Sequence, residues 1–275
     1  MRTVKIGHSP DADDAFMFYA LTAGKVKIPG IAIEHVLEDI ESLNRRARTG
    51  DLDVTAVSFA TYLLIADQYR MMDAGASMGI GYGPILVART PIPVTELENR
   101  VVASPGKHTT SALLLRLYVG DPPLIEVPFD KIPQAVLDGQ ADLGLLIHEG
   151  QITHQQMGLT KVLDLGDSWQ RDTGLPLPLG VNVMRRELGE DVHRAISQGL
   201  RDSIAWAHAN VDEALDYAMR YGRGIDKETC RRFVLMYVNN YTLSLGPDGR
   251  AAVERLFTMA RDRGLIGEIP ALDPI

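Results

Sequence analysis

The chain has 275 residues, enough for one large or two modest domains with hydrophobic cores of their own. Hydrophobic residues make up 45% and charged residues 23%, an ordinary globular composition, and the net charge of −8 argues against nucleic acid as a partner. The single cysteine, Cys230, can form no internal disulfide, and no window approaches the roughly 18 apolar residues of a membrane span. With no signal-peptide pattern ahead of the first apolar run, the expected location is the cytoplasm.

In chain order, Val4–Gly7 reads as a strand, and Asp13 or Asp14 can cap a helix from Ala15 to Ala23. Ile31–Leu37 is a second strand, Asp39–Thr49 a helix stopped by Gly50, and Val54–Ser58 a third strand before a helix through Ala66. A stretch containing Gly75, Gly79, Gly81 and Gly83 precedes a strand at Ile85–Ala88; it is either a flexible turn or a close approach of backbone to a ligand. Pro91 and Pro93 then mark a crossing between lobes. The same grammar restarts with strands at Val101–Ala103, Ile125–Val127 and Leu143–Ile147, alternating with helices at Ser111–Tyr118 and Ile132–Leu137. From Val192 onward the pattern is helical, with segments near Val192–His208, Asp212–Tyr221, Lys227–Tyr237 and Ala251–Arg263.

One internal echo organises this. The run from Gly50 through Asp53 to Ser58 resembles the run from Gly139 through Asp142 to Ile147. In each, a glycine stops a helix and an aspartate precedes an apolar strand. Each strand would be the third of a βαβαβ unit, one unit per lobe. The expected fold is therefore α/β with mainly parallel sheets, periplasmic-binding-protein-like (type II), with a ligand cleft between two lobes. Lobe 1 would take residues 1–88 plus 184–275, and lobe 2 residues 89–183.

In open α/β sheets ligands sit beyond the carboxyl ends of the strands. Ser58 stands there in one unit and His148 in the other. Histidine, with an unperturbed pKa of roughly 6.5, suits acid–base work, although a ring at that point can equally cap the next helix. His8 ends the first strand and has the same kind of position; His35, His154, His193 and His208 read as solvated or packed. No pair of histidines has the spacing of a zinc site, so no metal is expected. Ser104–Ser111, which includes Thr109 and Thr110, joins a strand to a helix. It can cradle a carboxylate or phosphate, or merely cap the helix through threonine. Asp11, Asp13 and Asp14 precede the first helix as a charged cap, or as acceptors for sugar or polyol hydroxyls.

Several longer runs carry a family resemblance. They are Ser9-Pro10 with Asp14-Ala15-Phe16, Val36-Leu37-Glu38-Asp39 with Leu43-Asn44, and Pro105-Gly106-Lys107-His108-Thr109-Thr110. Ile147-His148-Glu149, the run Thr173–Gly180 and Tyr237-Val238-Asn239 complete the set. Nearly end to end, the chain resembles the 1,4-dihydroxy-6-naphthoate synthase family (the MqnD family) of the futalosine route to menaquinone. The resemblance implies a lyase that takes cyclic dehypoxanthine futalosine to 1,4-dihydroxy-6-naphthoate and a three-carbon fragment. It implies His148 as general base, substrate contacts at Asn44, Ala56, Val57, Ser58, Thr109 and Thr110, and no cofactor. The substrate would be a small carboxylate and polyol. Two positions depart from the family's pattern. Asp13 stands where Asn is common and Ala56 where Lys is common, and both alter charge near the expected substrate carboxylate. Lys107 is a candidate for compensating.

A chorismate dehydratase-like enzyme of the same pathway and a non-catalytic solute-binding protein are the alternatives. The Ile147–Glu149 and Gly174–Gly180 runs favour the synthase over the first, and the absence of an export signal weighs against the second. A homodimer is compatible with the sequence, which marks no interface.

Overall fold

A computed structural model describes residues 1–275. The chain opens with β1 (Arg2–His8), whose apolar residues Val4 and Ile6 are buried. Helix α1 (Ala12–Thr22) follows, capped by Asp11, whose side chain accepts from the Asp14 N–H. The cap therefore lies two to three residues earlier than expected, and Asp13 and Asp14 fall inside the first turn. Next come β2 (Ile31–Leu37) and α2 (Ile40–Thr49), the latter capped by Asp39 and ended by Gly50 at φ 69°. That is the left-handed conformation glycine adopts without a Cβ clash. β3 (Val54–Ser58) is buried at every residue. The helix expected through Ala66 is only one turn, α3 (Phe59–Tyr62). Three short strands follow: β4 (Tyr69–Met71), β5 (Ser77–Gly79) and β6 (Ile85–Ala88).

The second half runs β7 (Val102–Ser104), α4 (Thr110–Tyr118), β8 (Leu124–Glu126), α5 (Ile132–Leu137) and β9 (Leu143–Leu146). It continues with α6 (Gly150–Thr153), β10 (Thr160–Asp164), α7 (Leu165–Thr173) and the nine-residue β11 (Leu177–Arg185). The tail is helical: α8 (Glu190–Ala209), α9 (Val211–Ala218), α10 (Lys227–Tyr237), α11 (Asn240–Leu243) and α12 (Gly246–Asp262).

The chain divides into two compact units, one of residues 1–78, 180–250 and 270–275, the other of 79–179 and 251–269. In the first, the sheet order is β2-β1-β3-β11-β4, with β5 also on β11. β1 pairs parallel with β2 and β3, while β11 runs antiparallel to β3 and β4. In the second the order is β10-β6-β9-β7-β8. β7 pairs parallel with β8 and β9, while β6 runs antiparallel to β9 and β10. The two parallel triplets, β2-β1-β3 and β8-β7-β9, thus have the same order, and each third strand carries an antiparallel neighbour. The sheets are mixed rather than mainly parallel. β6 belongs to the second sheet, so the chain leaves the first unit before residue 85, ahead of Pro91 and Pro93.

No helix is long and apolar enough to cross a membrane. The second unit's core joins Ile85, Val87, Ala103 and Leu146 to Ile132 and Val136 of α5. Gly144 makes this packing possible: a Cβ there would lie 2.8 Å from Ile132 and 2.9 Å from Val136.

Candidate active site

In the first unit, β3 delivers Ser58 to the carboxyl end of the sheet and α2 delivers Asn44 to meet it. Asn44 is fully buried. Its Oδ1 accepts from the Ser58 backbone N–H at 2.9 Å, and its Nδ2 donates to Ser58 Oγ at 3.2 Å. An N–H can only donate, so this pairing fixes the amide's orientation. Ser58 Oγ is then an acceptor toward Asn44, and its own proton is directed elsewhere. Asn44 therefore works on Ser58 and holds its hydroxyl as a donor. Val57 is wholly buried and offers no side chain to a ligand, while Ala56 packs with Leu43 and Leu52.

The first loop of the same unit holds Asp11, Asp13 and Asp14, all buried. Asp14 Oδ2 accepts from the Ser9 N–H at 2.6 Å. Burial, followed by the charge of Asp11, pushes the Asp13 carboxyl well above the usual carboxylate range, and Asp14 is raised for the same reasons. From the sequence these groups are a charged cap or acceptors for substrate hydroxyls. Held toward the neutral form, Asp13 and Asp14 can donate hydrogen bonds as well as accept them.

In the second unit, β7 leads into the Ser104–Thr109 turn and then α4. Thr109 Oγ1 donates to Gly106 O at 2.7 Å, accepts from the Ala112 N–H at 3.2 Å and lies 2.9 Å from Ser111 Oγ. Its hydroxyl is thus committed to capping, the simpler of the two roles the sequence allowed. Thr110 Oγ1 donates to Leu179 O at 2.7 Å, tying the start of α4 to the run Thr173–Gly180. That run is itself pinned by Trp169, whose Nε1 donates to the carbonyls of Leu175 and Pro176. The turn is tied down by these bonds, and it leads into the first turn of α4, where backbone N–H groups have no helical partner. Lys107 is exposed on the same turn.

β9 ends at Leu146, one residue earlier than expected, and His148 sits in the turn before α6 at φ 52°. A non-glycine residue in the left-handed region costs of order 1–3 kcal/mol and is held there by its surroundings. The residue is half-buried but both ring nitrogens are buried, and the ring centroid lies 4.9 Å from that of Phe129. The other histidines follow the expected pattern of packing: His193 Nε2 lies 2.8 Å from Arg185 O, His154 Nδ1 lies 3.0 Å from Gln151 O, and His208 packs edge-on against Phe16. His8 and His35 are different. Their rings are joined, His8 Nε2 to His35 Nδ1 at 3.1 Å, a pairing that register alone could have suggested, since His35 pairs with Ile6 two residues before His8.

Residues 4–262 match the family model described as Menaquinone biosynthesis. A Thermus thermophilus protein named 1,4-dihydroxy-6-naphthoate synthase is 43% identical over 270 residues, 98% of each chain. A Streptomyces coelicolor protein of the same name is 36% identical over 279 residues, 99% of this chain and 96% of that one. Among solved structures, an Archaeoglobus fulgidus protein superposes with a TM-score of 0.93 at 51% identity, covering 96% of this chain and 98% of that one. The alkanesulfonate-binding protein of Xanthomonas axonopodis, bound to MOPS, shares the fold alone: TM-score 0.72 at 11% identity, covering 99% and 96%. The expected periplasmic-binding-protein-like α/β class is borne out.

Proposed function

Because the chain belongs to the menaquinone-biosynthesis family, we propose that it is a carbon–carbon lyase converting cyclic dehypoxanthine futalosine to 1,4-dihydroxy-6-naphthoate. Two near-full-length relatives carry the name of that synthase, and this is the observation on which the reading rests. The same reading puts its work in the cytoplasm, on a small carboxylate and polyol.

His148 takes the proton. A proton removed from a hydroxyl of the substrate's polyol side chain leaves a pair on oxygen. That pair forms a carbonyl on the departing piece as the adjacent carbon–carbon bond breaks. The bond's electrons pass into the ring, which takes a proton back. The three-carbon piece departs as the ring becomes aromatic. Aromatisation drives the step, so the protein's tasks are alignment and one proton acceptor. The strained backbone of His148 and its contact with Phe129 support this role by fixing the ring. Ser58, held as a donor by Asn44, and the first turn of α4 suit oxygen atoms of the substrate. Thr109 and Thr110 contribute through the shape of that turn, and Val57 through backbone alone.

The test is His148→Asn assayed with cyclic dehypoxanthine futalosine. Turnover should fall by about 10²–10⁴-fold, with calorimetric affinity for the substrate retained. Full turnover by the variant would remove His148 from the chemistry. A wild-type protein that binds the substrate without converting it would favour a solute-binding role.

A further inference from the structure

His8 is a buried titratable group to which the lyase reading gives no task. It ends β1, the middle strand of the parallel triplet, at the edge where open α/β sheets receive ligands. The residue is only 5% exposed and its ring stacks on Phe18, with centroids 4.3 Å apart and planes 10° from parallel. Its orientation is thereby fixed.

Its tautomer is fixed as well, from the far end of a short chain of hydrogen bonds. Thr22 Oγ1 donates its proton to Phe18 O at 3.0 Å. It therefore turns a lone pair toward His35 Nε2, 3.4 Å away, and that nitrogen carries a hydrogen. The other nitrogen of a neutral His35, Nδ1, is then bare and accepts from His8 Nε2–H at 3.1 Å. His8 Nδ1 is left with the lone pair. That atom is buried and has no hydrogen-bond partner. A buried acceptor without a donor carries a desolvation cost that a bound donor would relieve.

Whether it acts as acceptor or base is decided by charge. Burial, then His35, lowers the His8 pKa to about 4, against a weaker opposing pull from the Ser9 backbone and Asp11. Near neutrality only about one ring in a thousand would be protonated. So weak a base does not take a substrate proton; it receives a hydrogen bond.

We propose that His8 Nδ1 accepts a hydrogen bond from a hydroxyl of the bound polyol substrate, with His35 and Thr22 as positioning residues that hold the required tautomer. The identity of the substrate rests on the lyase reading, whereas the tautomer does not. Nitrogen NMR of protein labelled at its seven histidines tests the second point without substrate. His8 should show a bare Nδ1 and a protonated Nε2, and Thr22→Val should mix the tautomers. Adding cyclic dehypoxanthine futalosine should shift the Nδ1 signal. His8→Phe, which keeps the stacked ring, should raise KM about tenfold, the value of one lost hydrogen bond, with kcat nearly unchanged. A protonated Nδ1 in the free protein overturns the proposal. So does an Nδ1 signal that ignores the substrate, a measurement that stands even if the phenylalanine variant misfolds. Failure of the lyase reading looks different: the wild-type protein then shows no turnover, with the tautomer unaffected.

Discussion

Asp13 shows how far a single buried carboxyl can depart from its textual appearance. Its folded-state pKa is raised by burial and by Asp11, so the fold prefers it protonated. Its stabilising contribution is complete below the ordinary carboxylate range, near 4, and is lost as pH climbs toward the raised value. Above that, the fold carries a buried anion. Asp13→Asn keeps the shape and removes the ionisation. The variant should therefore gain stability over the wild type as pH rises, with a larger gap in denaturation midpoint at pH 8 than at pH 5. Equal gaps at the two pH values would show that the carboxyl is not perturbed. Asparagine is also what the resembling family commonly carries here. A neutral Asp13 offers a similar donor, so the departure seen in the sequence changes charge less than the letter suggests.

Among elements, the glycine-rich stretch before β6 and the start of α7 settle a question the sequence left open. Gly83 and Gly166 touch backbone to backbone: a Cβ on Gly166 would lie 2.5 Å from Gly83 N and 2.5 Å from Tyr82 C, neither of which can swing aside. These glycines serve close packing of chain on chain. Gly166→Ala should cost about 3 kcal/mol by urea denaturation, at the upper end for overpacking. Gly174→Ala meets open space at φ 67° and should cost about 1 kcal/mol, the penalty of a left-handed residue alone. Equal losses would mean that the helix start relaxes freely. What was legible followed the same division between local and long-range. The triplets β1-β2-β3 and β7-β8-β9, the caps of α2, and Ser58 at a strand end rest on periodicity and local caps, and each could be read. β10, α7 and β11 were missed. Pro178 and Gly180 interrupt the apolar pattern of β11, which is held by antiparallel pairing with β3 and β4, more than a hundred residues away in sequence. Asn44 could be named only by resemblance, because its work, gripping Ser58, depends on a contact between elements.

Across the whole molecule, one chain serves two sheets by leaving each and returning, and its last six residues complete the first unit. They do so through several groups at once. Asp273 accepts two bonds from Arg186, at 2.7 and 3.0 Å, and its carbonyl accepts from Arg70 at 2.8 Å. Ile275 donates its N–H to Met71 O, and its carbonyl accepts from Ser197 Oγ and the Asp73 N–H. The ion pair alone is half-exposed and worth at most about 1 kcal/mol. The backbone bonds matter more, because they continue the pairing of β4 on the side away from β11. Asp273→Ala should therefore cost about 1 kcal/mol, whereas deleting residues 270–275 should speed amide exchange throughout β4 and the first turns of α8. Exchange in β7 and β9, whose sheet receives nothing from the tail, should stay as it was. A deletion that left β4 as protected as before would show that β11 alone is enough to hold it.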